Sequence, residues 1–347
     1  MKKPVKLADV ANLVGVSQAT VSNYLNGRTN RISEPIRNRI KEAIEELDYI
    51  PNMAARNVSS KTKDNTIAIV VPHSPAHIFY NTFYSRVLEG IGDALANYGY
   101  RSIIIPADRK NLDESIAFIR GLSLGMISGL LLFNIEEQDP LLKALKRAHI
   151  PVVAFGYGEG YETDLSFIAT DHGDGIKQAV RHFVEVHKVR DIIFYPGLFG
   201  IRITRQRLDG YKEALGEYDI PFDQERVVYA YGDRYDCYSA TKMLLSKRNG
   251  PQAYIISQAD TNSFIRAVRD SALVPGKDVL FLLDEYFPIN SYERYEYAYL
   301  KTPVYDLGVQ GVERLVKIIR KEPLGTKNFL FPVQLVVNET CGCMQRQ

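Results

Sequence analysis

The chain has 347 residues, of which 46% are hydrophobic and 24% charged, and its formal net charge is +2. This length allows two or three domains with cores of their own, and so small a net charge says little about partners. Because no apolar run approaches the ~20 residues of a membrane helix and the first residues, MKKPVK, lack the apolar segment of a secretory signal, we expect neither a membrane protein nor a secreted one.

Residues 5–27, VKLADVANLVGVSQATVSNYLNG, predict two short helices joined by a tight turn. Val10, Leu13 and Val14 form an apolar stripe at helical spacing in the first helix. Gly15 follows at once, where a left-handed residue ends a helix without a Cβ penalty. Two such helices form a helix-turn-helix. Small three-helix domains that bind no DNA share this pattern, so the pattern alone leaves both functions open.

The second predicted helix runs from a cap at Ser17 to about Leu25, with Val21 and Leu25 on its apolar side. Short or polar side chains project away from that side: Gln18, Ala19, Ser22 and Asn23. Their size and chemistry fit the major groove of DNA.

A third helix is predicted from Ser33, with Glu34 and Pro35 in its first turn, where an acid and a proline are favoured. Its apolar stripe packs against the first two helices: Ile36, Ile40, Ala43, Ile44 and Leu47. Its basic residues either contact phosphates or form a solvated face: Arg37, Arg39 and Lys41. Residues 1–60 carry a net charge of +3 and the remainder −1, which is typical of a polyanion-binding module beside a separate regulatory part.

From Thr66 the sequence alternates between apolar strands and helices. The first series has strands at 67–71, 102–106, 129–133 and 151–155, and helices at 83–98, 113–124 and 139–148. The second has strands near 192–195, 227–230, 254–257 and 279–283, and helices near 174–186, 204–216, 236–247 and 261–271. Two such series predict two doubly wound α/β lobes with a ligand cleft between them.

The chain has three cysteines, Cys237, Cys341 and Cys343. The odd count and the lack of a secretory signal indicate a reducing cytoplasm. Cys341 and Cys343 flank a single glycine, a spacing open to metal or redox chemistry. We expect a structural or incidental role for them, because no further Cys or His pair completes a zinc site.

Several motifs follow one another in the first 52 residues: Asp9-Val10-Ala11, Gly15-Val16-Ser17, Thr20-Val21-Ser22, Leu25-Asn26-Gly27, Ser33 and Leu47-Asp48-Tyr49-Ile50-Pro51-Asn52. This run resembles the N-terminal signature of the LacI/GalR (lactose-repressor) family of bacterial transcription regulators. Looser matches continue along the body: Arg205 to Tyr211, Leu282 to Asp284, Leu300 to Gly308, and the terminal LVVNETCGC. The resemblance covers nearly the whole chain.

The resemblance implies an all-α helix-turn-helix headpiece over residues 1–50, a hinge helix and linker over 51–65, and an effector-binding and dimerisation domain over 66–347. That domain is similar to periplasmic sugar-binding proteins, whose chain crosses between the lobes three times. We place the crossings near 187–190, 300–304 and 328–332. Lobe 1 then comprises about 66–187 and 303–328, and lobe 2 about 188–300 and 331–345. The alternative for 51–65 is an ordinary flexible linker.

For the DNA, the resemblance implies base reading by Gln18, Ala19 and Asn23, and positioning contacts by Ser17, Thr20, Ser22 and Asn26. It implies minor-groove contacts of the hinge by Asn52, Ala55, Arg56 and Val58. Some of these polar residues alternatively only cap or solvate a helix. The family most often has Arg where this chain has Asn23 and usually Leu where it has Val58, so the family's usual operator does not transfer.

For the effector, Arg207 and Asp284 match the family's ligand-binding Arg and Asp. Asp174 matches an acidic position at the cleft mouth, and Arg205 begins the same segment as Arg207. A guanidinium and a carboxylate in one cavity suit vicinal hydroxyls, or else form a salt bridge that closes the cleft. Three residues after the first strand line the opposite wall or belong to the core: His73, Phe83 and Tyr84. Ala259 stands where several sugar-binding members carry Asn, which argues against a standard hexose contact.

We therefore expect a cytoplasmic homodimer that represses transcription from a pseudo-palindromic operator and binds a sugar or sugar phosphate between its lobes. The rival is a sugar-binding sensor without DNA regulation, which the headpiece disfavours. We expect neither an enzyme nor a cofactor, since the chain lacks Walker and G-x-S-x-G motifs and the glycines after the fourth strand, GYGEG, form no G-x-G-x-x-G fingerprint.

Overall fold

The computed structural model describes residues 5–25, 27–49, 65–71, 82–107, 111–123, 126–133, 141, 145, 150–156, 165–197, 202–229, 236–248, 250–285 and 295–343, with only the backbone of Leu112 and Ala259. The chain forms two compact units, one made by residues up to Asp64 and the other beginning at Asn65. None of the helices in these ranges is long and apolar enough to span a membrane. The predicted hinge at 51–64 and most of the helix predicted at 139–148 lie outside the described residues.

Three helices form the first unit: α1 (Leu7–Val14), α2 (Gln18–Leu25) and α3 (Glu34–Glu46). They share one core: Val10, Ala11, Val14, Val21, Ile40, Ala43 and Tyr49. Gly15 ends α1 at φ 74°, in the left-handed region where only glycine avoids a Cβ penalty.

The apolar stripe predicted for α1 is wrong at one position. Leu13 is 46% exposed, whereas Ala11 is 2% exposed and completes the buried face with Val10 and Val14. At 3.6 residues per turn, Ala11 and Leu13 lie about 80° to either side of the line through Val10 and Val14, so helical spacing alone did not decide which of them is buried.

The second unit contains two sheets. The first sheet has strands β1 (Thr66–Val71), β2 (Arg101–Pro106), β3 (Gly129–Phe133), β4 (Val152–Phe155), β5 (Ser166–Thr170) and β10 (Asn328–Phe331). Their order is β10-β5-β4-β3-β1-β2, and every pairing is parallel. The second sheet has strands β6 (Asp191–Tyr195), β7 (Gln252–Ile256), β8 (Leu280–Leu283), β9 (Tyr299–Lys301) and β11 (Gln334–Val336). Their order is β11-β9-β8-β7-β6, with β11 antiparallel to β9.

Helices cover both faces of each sheet. In the first lobe, α4 (Thr82–Asn97) and α10 (Val304–Arg320) pack with Ile67 and Ile69 of β1, whereas α5 (Leu112–Ser123) packs with the alternate residues Ala68 and Val70. In the second lobe, α6 (His172–Glu185) and α7 (Arg202–Glu217) lie on one face of the sheet, and α8 (Cys237–Ser246) and α9 (Thr261–Arg269) on the other. This alternation confirms two doubly wound α/β lobes.

The first crossing between the lobes lies at Asp171, not at 187–190. Asp171 caps α6, and its backbone N–H donates to the carbonyl oxygen of Phe331 in the first sheet at 2.8 Å. The apolar side of α6 packs in the second lobe, through Ile176, Val180 and Phe183. The helix predicted near 174–186 belongs to the second series, but the predicted lobe boundary at 187 places it in lobe 1. An apolar stripe reveals that a helix is amphipathic but not which sheet it covers, so it could not correct that boundary. The other two crossings lie at 302–303 and 332–333.

The strand predicted at 227–230 is also wrong. Val227 forms a single parallel bridge with Phe194, and Val228 donates its N–H to the carbonyl oxygen of Phe194 at 2.9 Å, but no strand extends from this bridge in the described residues. The apolar runs did not predict five elements. Four are strands that complete the two sheets, β5, β9, β10 and β11, and the fifth is helix α10, which packs on the first sheet.

Two glycines of α4 provide a test of the close packing between α4 and α10. A Cβ on Gly90 would collide with the backbone carbonyl oxygen of Tyr305 in α10, whereas a Cβ on Gly92 would meet no atom within 4 Å. We expect Gly90→Ala to lower the free energy of unfolding by about 1–3 kcal/mol through overpacking. The control Gly92→Ala should raise it by about 0.5–1 kcal/mol, because alanine loses less entropy in a helix. Equal urea-denaturation midpoints for the two variants would contradict this packing.

Candidate functional site

The second helix of the first unit presents the predicted base-reading residues on its exposed face. The backbone N–H of Thr20 donates to Ser17 Oγ at 3.1 Å, so the Ser17 hydroxyl caps α2. Gln18, Ala19 and Asn23 are all exposed, whereas Val21 is fully buried in the core. The three exposed positions fall within about 140° of the helix circumference, a width that a helix can present to one groove.

These side chains have the chemistry for reading bases. The amides of Gln18 and Asn23 each offer one donor and one acceptor in the arrangement that matches adenine N6 and N7, and the Ala19 methyl can contact a thymine methyl. Ser22 lies between Gln18 and Ala19 on this face and Thr20 at its border, and both are half-buried. Asn26 and the four predicted hinge residues, Asn52, Ala55, Arg56 and Val58, lie outside the described residues.

One of the basic residues of α3 has a structural role. Arg37 donates from Nε to the carbonyl oxygen of Ile32 at 2.7 Å and from its terminal nitrogen to that of Thr29 at 2.9 Å. These bonds fix the loop between α2 and α3. Arg39 and Lys41 are exposed and keep their charges available to a polyanion.

A polar cluster lies where the strands of the second lobe end, and we call His172, Arg207, Asp260, Asp284 and Glu285 the strand-end cluster. Asp284 follows β8 directly and is 2% exposed, and Arg207 of α7 is 7% exposed. Arg207 NH1 lies 2.8 Å from Asp284 Oδ2. The other carboxylate oxygen, Asp284 Oδ1, accepts the backbone N–H of Gln258 at 3.2 Å.

The strand-end cluster adjoins two of the crossings between the lobes. His172 is the first residue of α6, and its Nε2 lies 3.1 Å from the hydroxyl of Thr170 at the end of β5. Thr302, at the second crossing, donates its hydroxyl to Glu285 at 2.9 Å. The cluster therefore contacts the segments that a change in lobe arrangement would affect first.

Burial is the largest cause of the pKa shifts in this cluster. It raises the pKa of Asp284 to about 7, although the Arg207 guanidinium opposes the shift, and it raises the pKa of Asp260 to about 6. Burial also raises the pKa of Glu285. Burial, and to a smaller extent the charge of Arg207, hold the pKa of His172 well below its usual value, so His172 is neutral. The guanidinium of Arg207 thus faces two carboxyl groups, those of Asp284 and Glu285.

Several buried polar atoms of the strand-end cluster and of its neighbours in the chain make no hydrogen bond within the described ranges. They are Arg207 Nε, Gln206 Oε1, Asp260 Oδ2 and Thr261 Oγ1. A buried donor or acceptor without a partner costs about 1–3 kcal/mol, so such groups point to an external partner. The unpartnered atoms include donors and acceptors, as a polyhydroxylated ligand would require.

The other predicted effector residues are scattered. Tyr84 is 2% exposed and packs edge-on against Phe133 in the core of the first lobe, so the core alternative applies to it. Phe83 is half-buried against the same core. Asp174 and Arg205 are exposed, and Asp174 accepts a hydrogen bond from Gln178 at 2.7 Å. His73 and the side chain of Ala259 lie outside the described residues.

Sequence reasoning missed three members of the strand-end cluster: His172, Asp260 and Glu285. Each follows an apolar strand within a few residues, at the carboxyl edge where ligands of doubly wound sheets bind. That position was a usable signal for Glu285 and Asp260. For His172 the preceding strand, β5, was itself not predicted.

Comparison with known proteins identifies the family. Residues 6–52 match the bacterial regulatory proteins of the lacI family, and residues 64–270 match the periplasmic binding proteins and sugar binding domain of LacI family. The chain belongs to the LacI family. It is a DNA-binding transcription regulator with a helix-turn-helix headpiece and a two-lobed α/β domain.

Individual relatives span almost the whole of this LacI-family chain. Catabolite control protein A of Streptococcus mutans serotype c is 27% identical over 326 residues, which cover 94% of this chain and 95% of that protein. The structure of the transcriptional regulator CelR–cellobiose complex is 26% identical, with a TM-score of 0.68, and the match covers 97% of this chain and 99% of that one. The lac repressor dimer bound to operator and the anti-inducer ONPF is 23% identical, with a TM-score of 0.79 over 98% and 99% of the two chains, and supports the fold.

Proposed function

We propose that the protein is a homodimeric repressor that reads a pseudo-palindromic operator with Gln18, Ala19 and Asn23 of α2. The observation that supports base reading is the joint exposure of these three side chains on a helix capped by Ser17. One short helix buries too little surface to bind tightly alone, so two symmetry-related headpieces on two half-sites are needed. Because the proposed function requires access to chromosomal DNA, we expect the protein in the cytoplasm.

The effector, in our proposal, is a neutral sugar bound at the strand-end cluster. The observation that carries it is the buried Arg207–Asp284 pair, surrounded by polar atoms that lack a hydrogen-bond partner among the described side chains. The CelR relative, whose structure is a complex with cellobiose, supports the same ligand class.

The charge balance favours a neutral sugar over a sugar phosphate. A phosphate requires several unengaged cationic donors, but the only cation of the strand-end cluster is already paired with Asp284. Carboxylates accept hydrogen bonds from hydroxyl groups and repel a phosphate.

Control of DNA binding follows from the position of the cluster next to the crossings. A ligand that contacts His172, Arg207 and Asp284 contacts residues at the start of α6 and at the end of β8, close to the segments that join the lobes. If the ligand binds one lobe arrangement better than another, it shifts the population of dimers able to hold both headpieces on DNA.

A thermal-shift experiment on the full-length protein tests the ligand class. A ligand at 100 times its Kd stabilises by about 2.7 kcal/mol, so binding should raise the unfolding midpoint clearly. We expect such a rise with neutral disaccharides such as cellobiose or maltose, and none with the corresponding hexose phosphates. A rise with the phosphates alone would contradict the proposal.

Two exposed apolar side chains of the first lobe are candidates for the dimer interface. Ile104 on the edge strand β2 is 40% exposed and Phe118 on α5 is 56% exposed. Large apolar side chains exposed at a sheet edge are typical of a protein–protein contact.

We expect Phe118→Asp to weaken dimerisation at least about tenfold, as removal of an interface anchor does. The matched control is Val274→Asp, a 50% exposed apolar residue of the second lobe. Sedimentation equilibrium showing equal dimer dissociation constants would exclude Phe118 from the interface.

A further inference from the structure

Four metal-ligating side chains converge at the C-terminal end of α6. His182 lies in the last turn of α6 and His187 two residues beyond its end, while Cys341 ends a short 3₁₀ helix (Glu339–Cys341) and Cys343 follows it. The ligand atoms of all four side chains lie within 4.8 Å of one another. His182 and Cys341 are buried, His187 is half-buried and Cys343 is exposed. This arrangement corrects the expectation that no histidine pair accompanies the two cysteines.

We propose that His182, His187, Cys341 and Cys343 bind one Zn²⁺ ion. Two imidazole nitrogens and two thiolates are a ligand set that zinc prefers in closed structural sites. A tetrahedron with Zn–N of about 2.05 Å and Zn–S of about 2.3 Å places two nitrogens about 3.3 Å apart and a nitrogen and a sulfur about 3.6 Å apart. His182 Nε2 and His187 Nε2 are 3.2 Å apart, and Cys343 Sγ lies 3.5 and 3.4 Å from them.

The backbone around the cysteines holds them in place independently of any ion. Gly342 separates them at φ 85°, a left-handed conformation, and a Cβ there would lie 2.9 Å from Leu280 Cδ2 and 3.2 Å from the carbonyl oxygen of Gly276. Thr340 accepts the backbone N–H of Ala298 at 2.8 Å through its hydroxyl. Glycine alone avoids strain at this left-handed position between the two thiols. Cys343 Sγ faces both histidines, whereas the Cys341 thiol donates to the carbonyl oxygen of Asn338 at 3.1 Å, a bond that it would give up on binding the ion as a thiolate.

The proposed ion has a structural role. With four protein ligands it has no open position for a substrate, as in structural rather than catalytic zinc sites. It would join residues 339–343 to the end of α6. The first residue of the same helix, His172, belongs to the strand-end cluster, about 15 Å away at 1.5 Å per residue. The ion would therefore fix the helix whose other end contacts the cleft.

Cobalt substitution of the full-length, reduced protein tests the site directly. We expect one equivalent of Co²⁺ to produce the intense visible bands of tetrahedral coordination together with thiolate-to-cobalt charge transfer, and Zn²⁺ to abolish both. His187→Gln and Cys343→Ser alter side chains that are half-buried or exposed, so the fold should tolerate them. Removing a group that only hydrogen-bonds to a metal ligand costs about 10–100-fold in metal affinity. Removing a ligand itself should cost no less, so each variant should bind Zn²⁺ at least about tenfold more weakly.

The matched control removes the remaining thiol. Cys237 of α8 lies on the other face of the second sheet, with its Sγ 3.5 Å from the carbonyl oxygen of Asp260, and Cys237→Ala should leave the cobalt spectrum unchanged. A weak octahedral spectrum of the wild-type protein would overturn the proposal, as would a tetrahedral spectrum that survives both ligand substitutions. So would reduced wild-type protein that takes up no cobalt although thiol counting finds all three cysteines free.

Discussion

Arg207→Ala is expected to lower the free energy of unfolding by about 3–5 kcal/mol near pH 8, and by clearly less near pH 5. Arg207 is the cation of a buried pair, 8% exposed in its side chain against 2% for Asp284. Its removal leaves the carboxyl groups of the strand-end cluster without a counter-charge, and an uncompensated buried charge is strongly destabilising.

The pH dependence follows from the direction of the pKa shifts. Burial raises the pKa of Asp284 from its ordinary 3.8 to about 7, with Arg207 opposing the rise. A raised pKa means that the stability contributed by this carboxyl is present below about pH 4 and is lost as the pH rises through 7. Without Arg207 the pKa of Asp284 rises further, so the loss becomes larger above pH 7. Near pH 5 the Asp284 carboxyl is protonated, so the missing cation costs less there.

Urea denaturation of the full-length protein at the two pH values measures this effect. The matched control is Arg226→Ala, which breaks a half-exposed pair with Asp191 at 3.0 Å and should cost no more than about 1 kcal/mol at either pH. An Arg207→Ala penalty independent of pH would show that packing, rather than the carboxyl groups of Asp284 and Glu285, accounts for the loss.

The same pair also tests effector binding. Asp284→Asn retains the shape of the side chain, and we expect it to weaken sugar affinity by about 1–3 kcal/mol, since one partner of a buried polar contact is lost. Operator affinity should remain near that of the wild type, because the substitution lies in the second unit of the chain. Calorimetric titration that shows unchanged sugar affinity would assign Asp284 to structure.

The sequence predicted the elements that have continuous local signals. The apolar runs of β1 and β3 and the left-handed glycine after α1 each express one local physical requirement, and these elements lie where expected. Strand β5, SFIAT, contains Ser and Thr at its ends, and β9 has three residues, so neither presents an apolar run. Short strands depend on neighbours in the sheet, which periodicity does not encode.

Sites that depend on distant contacts were the least predictable. Arg207 and Asp284 were identified through the resemblance and proved to be paired, but their neighbours His172 and Glu285 were not identified. The sequence predicts a structural or incidental role for the two cysteines at 341 and 343 because the nearby histidines are remote in the chain: Cys343 and His182 are 161 positions apart. The spacing of His182 and His187, with four residues between them, is itself typical of zinc ligands and could have been recognised.

Asn23→Arg is expected to change the preferred base in each half-site from adenine to guanine. Asn23 is exposed on α2, and the asparagine amide pairs with adenine N6 and N7, whereas arginine pairs with guanine O6 and N7. A bidentate pair discriminates by about 1–3 kcal/mol, and a dimer reads two half-sites, so the change on a symmetric operator amounts to about 2–6 kcal/mol. Selection from a randomised operator library, carried out for both proteins at the same salt concentration, measures the shift.

The matched control for Asn23→Arg separates base reading from added charge. Asn38 is an exposed asparagine on α3, and Asn38→Arg adds the same charge to the headpiece away from the exposed face of α2. If Asn38→Arg gains a phosphate contact, it should strengthen binding to all sequences and steepen the salt dependence by about one unit, without a change in consensus. Asn23→Arg should instead strengthen binding only to operators with guanine at the contacted position. If selection returns the same consensus for wild type and Asn23→Arg, while affinity rises equally for every sequence, Asn23 contacts phosphate and α2 reads the operator through its other exposed side chains.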